Sequence, residues 1–183
     1  TTVSGRVTAE LEMALPGVFT AKDATPYGQE GFSRKTDAAG YEVIADTKGK
    51  LLWQDAADME KPYLILTSEQ VSRAYLRYLD ERHISWITCG KDQIDLAHAA
   101  EILATEFHVG RMGIVGGAAI NTAFLTAGLL DEVSLLVGAG IDGRGCMTSV
   151  FDGLAPDYPL IRLKLTDVRR LGSDAVWLRY QTR

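Results

Sequence analysis

The run Ile114-Val115-Gly116-Gly117-Ala118-Ala119-Ile120-Asn121 joins a short apolar segment to a helical one through two glycines and two alanines. Residues without bulky side chains let a backbone approach a pyrophosphate closely. A helix start adds free N–H groups and the positive end of the helix dipole. Such a turn could hold a phosphate, and between a strand and a helix the phosphate would belong to a dinucleotide. The plain alternative is a tight turn that needs glycine for its own geometry. Gly138-Ala139-Gly140-Ile141-Asp142-Gly143 reproduces the string G-x-G-x-x-G. The dinucleotide fingerprint requires a helix to begin inside that string, and Arg144-Gly145-Cys146-Met147-Thr148 follows with no helical period. At the end of a strand this loop is placed instead to line a substrate pocket.

Two further segments stand in equivalent places after earlier strands: Thr67-Ser68 and Gly90-Lys91. Taken singly, Thr67 is a helix cap and Lys91 a solvated charge. Taken together with Gly116-Gly117, they make a ledge of small, hydroxyl and cationic residues suited to a ribose, a 2′-phosphate and a pyrophosphate. Gly5-Arg6-Val7-Thr8 adds an Arg that can pair bidentately with a phosphate and a Thr that can donate to it. No nucleophile–base pair and no carboxylate dyad is visible, and Asp131-Glu132 falls on the side away from the strand ends. That absence fits hydride transfer, in which a cofactor carries the difficult chemistry.

The elements that must position these residues follow an alternating order. Tyr63–Leu66 reads as a strand, and Thr67-Ser68-Glu69-Gln70 as a capping box opening a helix with Val71, Tyr75, Tyr78 and Leu79 inward. Ile84–Thr88 is a strand. Asp95 caps a second helix, with Leu96, Ala99, Leu103 and Phe107 along one side. Met112–Val115 is a strand that leads into a third helix with Ile120, Ala123, Phe124 and Ala127 inward. Gly128 stands where a left-handed C-terminal cap belongs. Val133–Val137 is a fourth strand. The pattern predicts βαβ units, hence an α/β fold with a mostly parallel sheet flanked by helices. Leu160–Val168 and Ala175–Gln181 read as an antiparallel hairpin turning through Arg169–Asp174 and finishing that sheet at its edge. Further upstream, Thr8–Leu15 is a short helix, residues 16–40 a surface loop, Glu42–Asp46 a strand, and Thr47–Lys50 a turn into Leu51-Leu52-Trp53.

Composition narrows the class. The chain has 183 residues, 46% hydrophobic and 23% charged, with a net charge of -5. That describes one ordinary globular domain, and no basic cluster suggests a nucleic-acid partner. Cys89 and Cys146 have neither metal-ligand spacing nor a disulfide framework, so a reducing compartment and a cytoplasmic location are expected. His83, His98 and His108 are dispersed, and His98 with Glu101 reads as a solvated helix pair rather than a metal site. No apolar run reaches the roughly 18 residues of a membrane span.

The run from Gly116 to Glu132 resembles the signature of dihydrofolate-reductase-like reductases. More narrowly, it resembles the C-terminal reductase domain of the bifunctional riboflavin-biosynthesis deaminase/reductase and its stand-alone relatives. Gly140–Gly145 followed by Phe151-Asp152-Gly153, Asp46–Leu51 and Leu66–Val71 are similar to the same family. The resemblance implies a homodimer using NADPH to reduce a small heterocyclic or carbonyl substrate, in the manner of 5-amino-6-(5-phosphoribosylamino)uracil reductase. The alternative is a module that keeps the nucleotide site and has lost the reaction. Carried over, Gly116, Gly117, Ala118 and Ala119 hold the pyrophosphate, while Thr67, Ser68 and Gly90 flank the adenosine half. Arg6 and Thr8 form a phosphate clamp that the family carries well inside its domain. That alignment implies that a first strand and helix lie upstream of Thr1. The other alignment equates Val3-Ser4-Gly5-Arg6 with a turn after the first strand, but the spacing to Lys48–Leu51 favours the former. At the mouth of the cofactor turn Val115 replaces the family's Glu, which implies a less polar acceptor than the riboflavin-pathway pyrimidine.

Overall fold

The computed structural model describes residues 1–145, 149–172 and 174–182. Cys146, Met147 and Thr148 of the glycine-rich loop, and Ser173 of the hairpin turn, lie outside the described residues. The chain runs β1 (Thr2–Gly5), α1 (Arg6–Glu12), β2 (Gly31–Ser33), β3 (Glu42–Ala45), β4 (Tyr63–Thr67), α2 (Arg73–Asp80) and β5 (Ser85–Thr88). It continues through α3 (Leu96–Glu106), β6 (Gly113–Ile114), α4 (Ala118–Thr126), β7 (Glu132–Val137), β8 (Lys164–Arg170) and β9 (Val176–Gln181).

Six strands pair in the order β2-β5-β4-β3-β1-β6. All these pairings are parallel except β2 with β5. Successive side chains of a strand point to opposite faces, and the inner strands bury both. Ile44, Ile65 and Trp86 pack with Ala9 of α1 and with Tyr75, Leu76 and Leu79 of α2. Val3, Val43, Leu64, Leu66 and Ile87 pack on the other face with Ala99 and Leu103 of α3 and Phe124 of α4. Helices thus cover both faces, as the βαβ pattern requires.

Several boundaries differ from the sequence expectation. Helix α2 starts later than the Thr67-Ser68 capping box implies: its N-cap is Ser72, whose side chain accepts from Tyr75 N. Asp95 caps α3 as expected, accepting from His98 N at 3.0 Å. In α4 the inward residues include Ala118, Thr122 and Phe124, whereas Ala127 is exposed. Gly128 follows at φ 70°. Helix α1 begins at Arg6 rather than Thr8, and β2 was not legible in residues 16–40. Leu51-Leu52-Trp53 is no strand, but Leu52 forms an isolated bridge with Leu15.

The largest departure concerns the C-terminal part. The hairpin is present, as β8 and β9, but it does not finish the parallel sheet. With β7 it forms a separate three-stranded antiparallel sheet in the order β7-β9-β8. The expected fourth parallel strand is therefore an edge of this second sheet. Thr2–Gly5, for its part, is an inner strand paired on both sides. Between β6 and β7 no pairing joins the two sheets.

Candidate functional site

All five parallel strands end at the same edge, where the turns after β5, β4, β3, β1 and β6 lie side by side. At about 4.8 Å per strand the ledge is roughly 19 Å long. Backbone hydrogen bonds fasten neighbouring turns: Glu69 N donates to Gly90 O at 2.9 Å, Ser68 N to Thr47 O at 3.0 Å and Asp46 N to Leu66 O at 3.0 Å. Ligands of open α/β sheets gather at such carboxyl ends.

The two glycines of the β6–α4 turn serve different ends. A Cβ on Gly116 would stand 2.8 Å from Ser4 Cβ and 3.0 Å from Ser4 Cα, so this glycine is required by packing against β1. Gly117 faces open space, the nearest atom to a built Cβ being Thr8 Oγ1 at 3.9 Å. It is glycine because its backbone, at φ 46° and ψ 148°, suits no other residue. Gly117 is the N-cap of α4, and no side chain caps that helix. The first N–H groups of α4 are thus left without a side-chain cap among the described residues, the feature an anion site would use. Thr8 and Gly117, distant in sequence, are thus brought together.

The turn after β3 is built around Asp46. Its Oδ2 accepts from Lys50 N at 2.7 Å and Leu51 N at 2.9 Å. The Tyr75 hydroxyl lies 3.1 Å from the same oxygen and accepts from Trp53 Nε1 at 3.0 Å. Burial, reinforced by the Asp46 carboxylate, raises the Tyr75 phenol above its ordinary range, so it stays a neutral donor. Gly49 sits at φ 64°, and a Cβ there would come within 2.3 Å of Tyr75 Cδ1, so only glycine closes the turn. Lys48 and Lys50 project from this fixed loop into solvent. With Arg6, Asp46, Thr47 and Gln93 they line an open cleft of about 340 Å³. A second hollow, on the other side of the loop, shares Lys48 and Lys50 and adds Phe19 and Gln70. By residue type Thr47–Lys50 reads as a turn, and Asp46–Leu51 is a segment similar to the reductase family. Two lysines flanking a glycine just after a strand was the signal available.

The remaining predicted residues divide. Thr67 and Ser68 are on the ledge, but both are buried and their hydroxyls are spent internally. Thr67 Oγ1 donates to Ile87 O at 3.2 Å, and Ser68 Oγ donates to Thr47 O at 3.0 Å. Gly90 is dictated by its own turn, since a Cβ would stand 2.2 Å from Gln93 O. Val115 hydrogen bonds to Val3 O through its N–H, and its side chain is 61% exposed at the mouth of the turn. The segment after the glycine-rich loop folds back onto α4: Asn121 Nδ2 donates to Val150 O at 2.8 Å and Asp152 N to Thr122 Oγ1 at 2.9 Å. His98 pairs with Glu101 at 3.2 Å on the exposed face of α3, as expected. Among the described residues no helix is long and apolar enough to cross a membrane.

A mostly parallel sheet covered by helices on both faces, with a separate antiparallel sheet after it, is the fold of dihydrofolate-reductase-like domains. Within that class the chain belongs to the RibD C-terminal domain family, whose model matches residues 3–177. No curated protein matches the sequence. Among solved structures it is similar to Acinetobacter baumannii RibD, with TM-score 0.67 and 19% identity over 99% of this chain and 46% of that one. It is also similar to a pyrimidine reductase-like protein from Corynebacterium diphtheriae, with TM-score 0.70 and 16% identity over 99% and 75%. A third, a Thermotoga maritima diaminohydroxyphosphoribosylaminopyrimidine deaminase/5-amino-6-(5-phosphoribosylamino)uracil reductase, gives TM-score 0.58 and 17% identity over 98% and 44%. At these identities the likeness is one of fold. The chain spans a little under half the length of the A. baumannii RibD it matches.

Proposed function

We propose that this chain is a reductase that draws its hydride from NADPH and delivers it to a small heterocyclic acceptor. The observation that carries this reading is the uncapped start of α4 at Gly117, open to the outside and set beside Thr8 on the carboxyl edge of the sheet. Membership of a reductase-domain family supports the reaction class. In this reading the N–H groups of Gly117, Ala118 and Ala119 hold the pyrophosphate, with Thr8 donating from the facing turn and Arg6 supplying charge. Thr67, Ser68 and Gly90 act as backbone, shaping the adenosine end of the ledge, because their side chains are committed elsewhere. The dihydronicotinamide supplies the hydride. The protein's part is to fix its position and exclude water, and for this the segment tethered to Asn121 and Thr122 lies over α4. The family resemblance extends the reading to a cytoplasmic homodimer.

Val115 bears on the acceptor. A carboxylate there would accept from ring or amino N–H groups of a pyrimidine, whereas valine leaves such donors unmet. An unsatisfied buried polar group costs about 1–3 kcal/mol, or roughly one to two decades in binding. The reading is therefore a stand-alone reductase of a less polar acceptor. The experiment is to follow NADPH absorbance with the phosphoribosylamino-pyrimidine, with pteridines and with quinones. Oxidation dependent on a less polar acceptor is expected. Efficient turnover of the phosphoribosylamino-pyrimidine would remove the Val115 argument. Tight NADPH binding with no acceptor reduced would point to a nucleotide-binding module instead.

A further inference from the structure

Strand β2 has only three residues and lies at the outer edge of the six-stranded sheet, where it pairs with β5. So short a ladder is weak by itself, and side chains from the two helices packed on β5 clip the segment in place. On the α2 side, Ser33 Oγ donates to Asp80 Oδ1 at 3.3 Å and Lys35 Nζ pairs with the same oxygen at 2.7 Å. On the α3 side, Arg34 Nη1 donates to Glu106 O at 2.7 Å, and Glu30 Oε2 lies 3.5 Å from His98 Nε2. Before β2, Gly28 N donates to Glu69 O at 2.9 Å, so the segment runs on to the ledge.

One of these ties changes its charge near neutral pH. His98 stands between two carboxylates, with Nδ1 3.2 Å from Glu101 Oε2 on its own helix and Nε2 facing Glu30. Only the imidazolium donates from both ring nitrogens; the neutral ring turns a lone pair toward one of the two carboxylates. Asp95, the N-cap of α3, adds a third negative charge, and neither Glu30 nor Glu101 has another cation within 4.0 Å among the described residues. Cys89, at the end of β5, is neutral in this range because burial pushes its thiol up to about 12. The hydrogen bond to Glu101, followed by the charge of Glu30, raises the His98 value above the ordinary 6.5. The charged bridge is therefore whole below pH 6.5 and is lost as pH rises through the raised value. The longer contact, to Glu30, is the one that gives way. We propose that His98 is a proton-operated clip for this edge of the sheet. Charged, it binds the segment before β2 to α3; neutral, it lets that segment open and bare β5. An uncovered strand edge is free to pair with another chain, so the clip sets how readily this edge does so.

The test is backbone hydrogen exchange from about pH 5 to about pH 8, the range over which histidines titrate, with each amide referred to its intrinsic rate at that pH. Wild type is compared with His98→Gln, Glu30→Gln and Glu101→Gln. All three side chains are at least partly exposed, so the variants keep the fold, which unchanged thermal melting checks. In wild type, protection of Tyr27–Ser33 should fall about two- to five-fold as pH rises, the scale of one exposed ion pair, while protection of β4 stays constant. His98→Gln and Glu30→Gln should show the lower protection at every pH. Glu101→Gln should keep the fall and move it to lower pH, because the bridge to Glu30 survives while the larger influence on the imidazole is gone. No fall in wild type, an equal fall in β4, a fall that persists in His98→Gln or Glu30→Gln, or its loss from Glu101→Gln would overturn the proposal.

Discussion

Gly117 and Cys89 illustrate how a single residue constrains the account. At φ 46° and ψ 148° any side chain at position 117 strains the backbone, by about 1–3 kcal/mol. Gly117→Glu is therefore expected to lower both NADPH affinity and the melting temperature. Melting curves beside binding curves separate the two effects, and an affinity untouched by the carboxylate would argue against phosphate at this turn. Cys89, buried under the β5–α3 turn, has its thiol pushed up to about 12, first by burial and then by the carboxylates of Asp95 and Glu30. An unfolded thiol ionises near its ordinary value of 9.0, so between there and about 12 only the unfolded chain releases this proton. The thiol's contribution to stability is whole below pH 9 and declines as pH rises above it. Tyr75, whose phenol is also raised, adds to the decline. Melting temperature should fall above pH 9, less steeply in Cys89→Ala. An identical slope in that variant would remove Cys89 from the explanation. The Cys89 peptide should also resist iodoacetamide at neutral pH until the chain unfolds, as followed by mass spectrometry.

At the scale of elements, the start of α2 shows what a sequence can and cannot express. Thr67-Ser68-Glu69-Gln70 has the residue types of a capping box, but β4 pairs with β5 through Thr67, and Ser68 is tied to the turn after β3. Tertiary pairing outcompeted the local signal, and the cap passed to Ser72. Replacing Ser72 by Ala is expected to destabilise the chain by about 1 kcal/mol. Ser68→Ala should act through the ledge instead, loosening the Thr47 turn. Chemical denaturation of both variants, with hydrogen exchange at Tyr75 N, distinguishes a cap from a strand-end tie. The parallel strands and their helices were legible because buried inner strands and amphipathic helices have distinct periods. The separate sheet was not, because whether β7 pairs with β6 or with β9 depends on partners far away in sequence. Of the candidate site, Gly117, Thr8 and Arg6 stand out by residue type. The Asp46 loop does not, because its meaning lies in the packing of Gly49 on Tyr75.

At the scale of the whole molecule, the two sheets present edges at β6 and β7 that no other described strand pairs. Gly113 N and Val115 N donate to β1, so by alternation the N–H of Ile114 is directed to the opposite, unpaired side. On β7, Leu136 and Val137 are 66% and 51% exposed. Open edges with apolar neighbours invite another strand. The amide of Ile114 should exchange quickly in the chain from Thr1 to Arg183. In a protein that carries a strand upstream of Thr1 paired at these edges, it should be protected. Equal protection in both forms would mean that the edges are closed some other way.

The central claim is that a nicotinamide dinucleotide lies along the carboxyl edge of the parallel sheet. The most direct measurement is a titration of isotopically labelled protein with NADPH, followed residue by residue through backbone amide shifts. The account predicts saturable binding with the largest changes at Gly5–Thr8, Thr47–Lys50 and Gly117–Ala119, and little change in β8 and β9. Absence of saturable binding, or shifts concentrated away from those three turns, would contradict it.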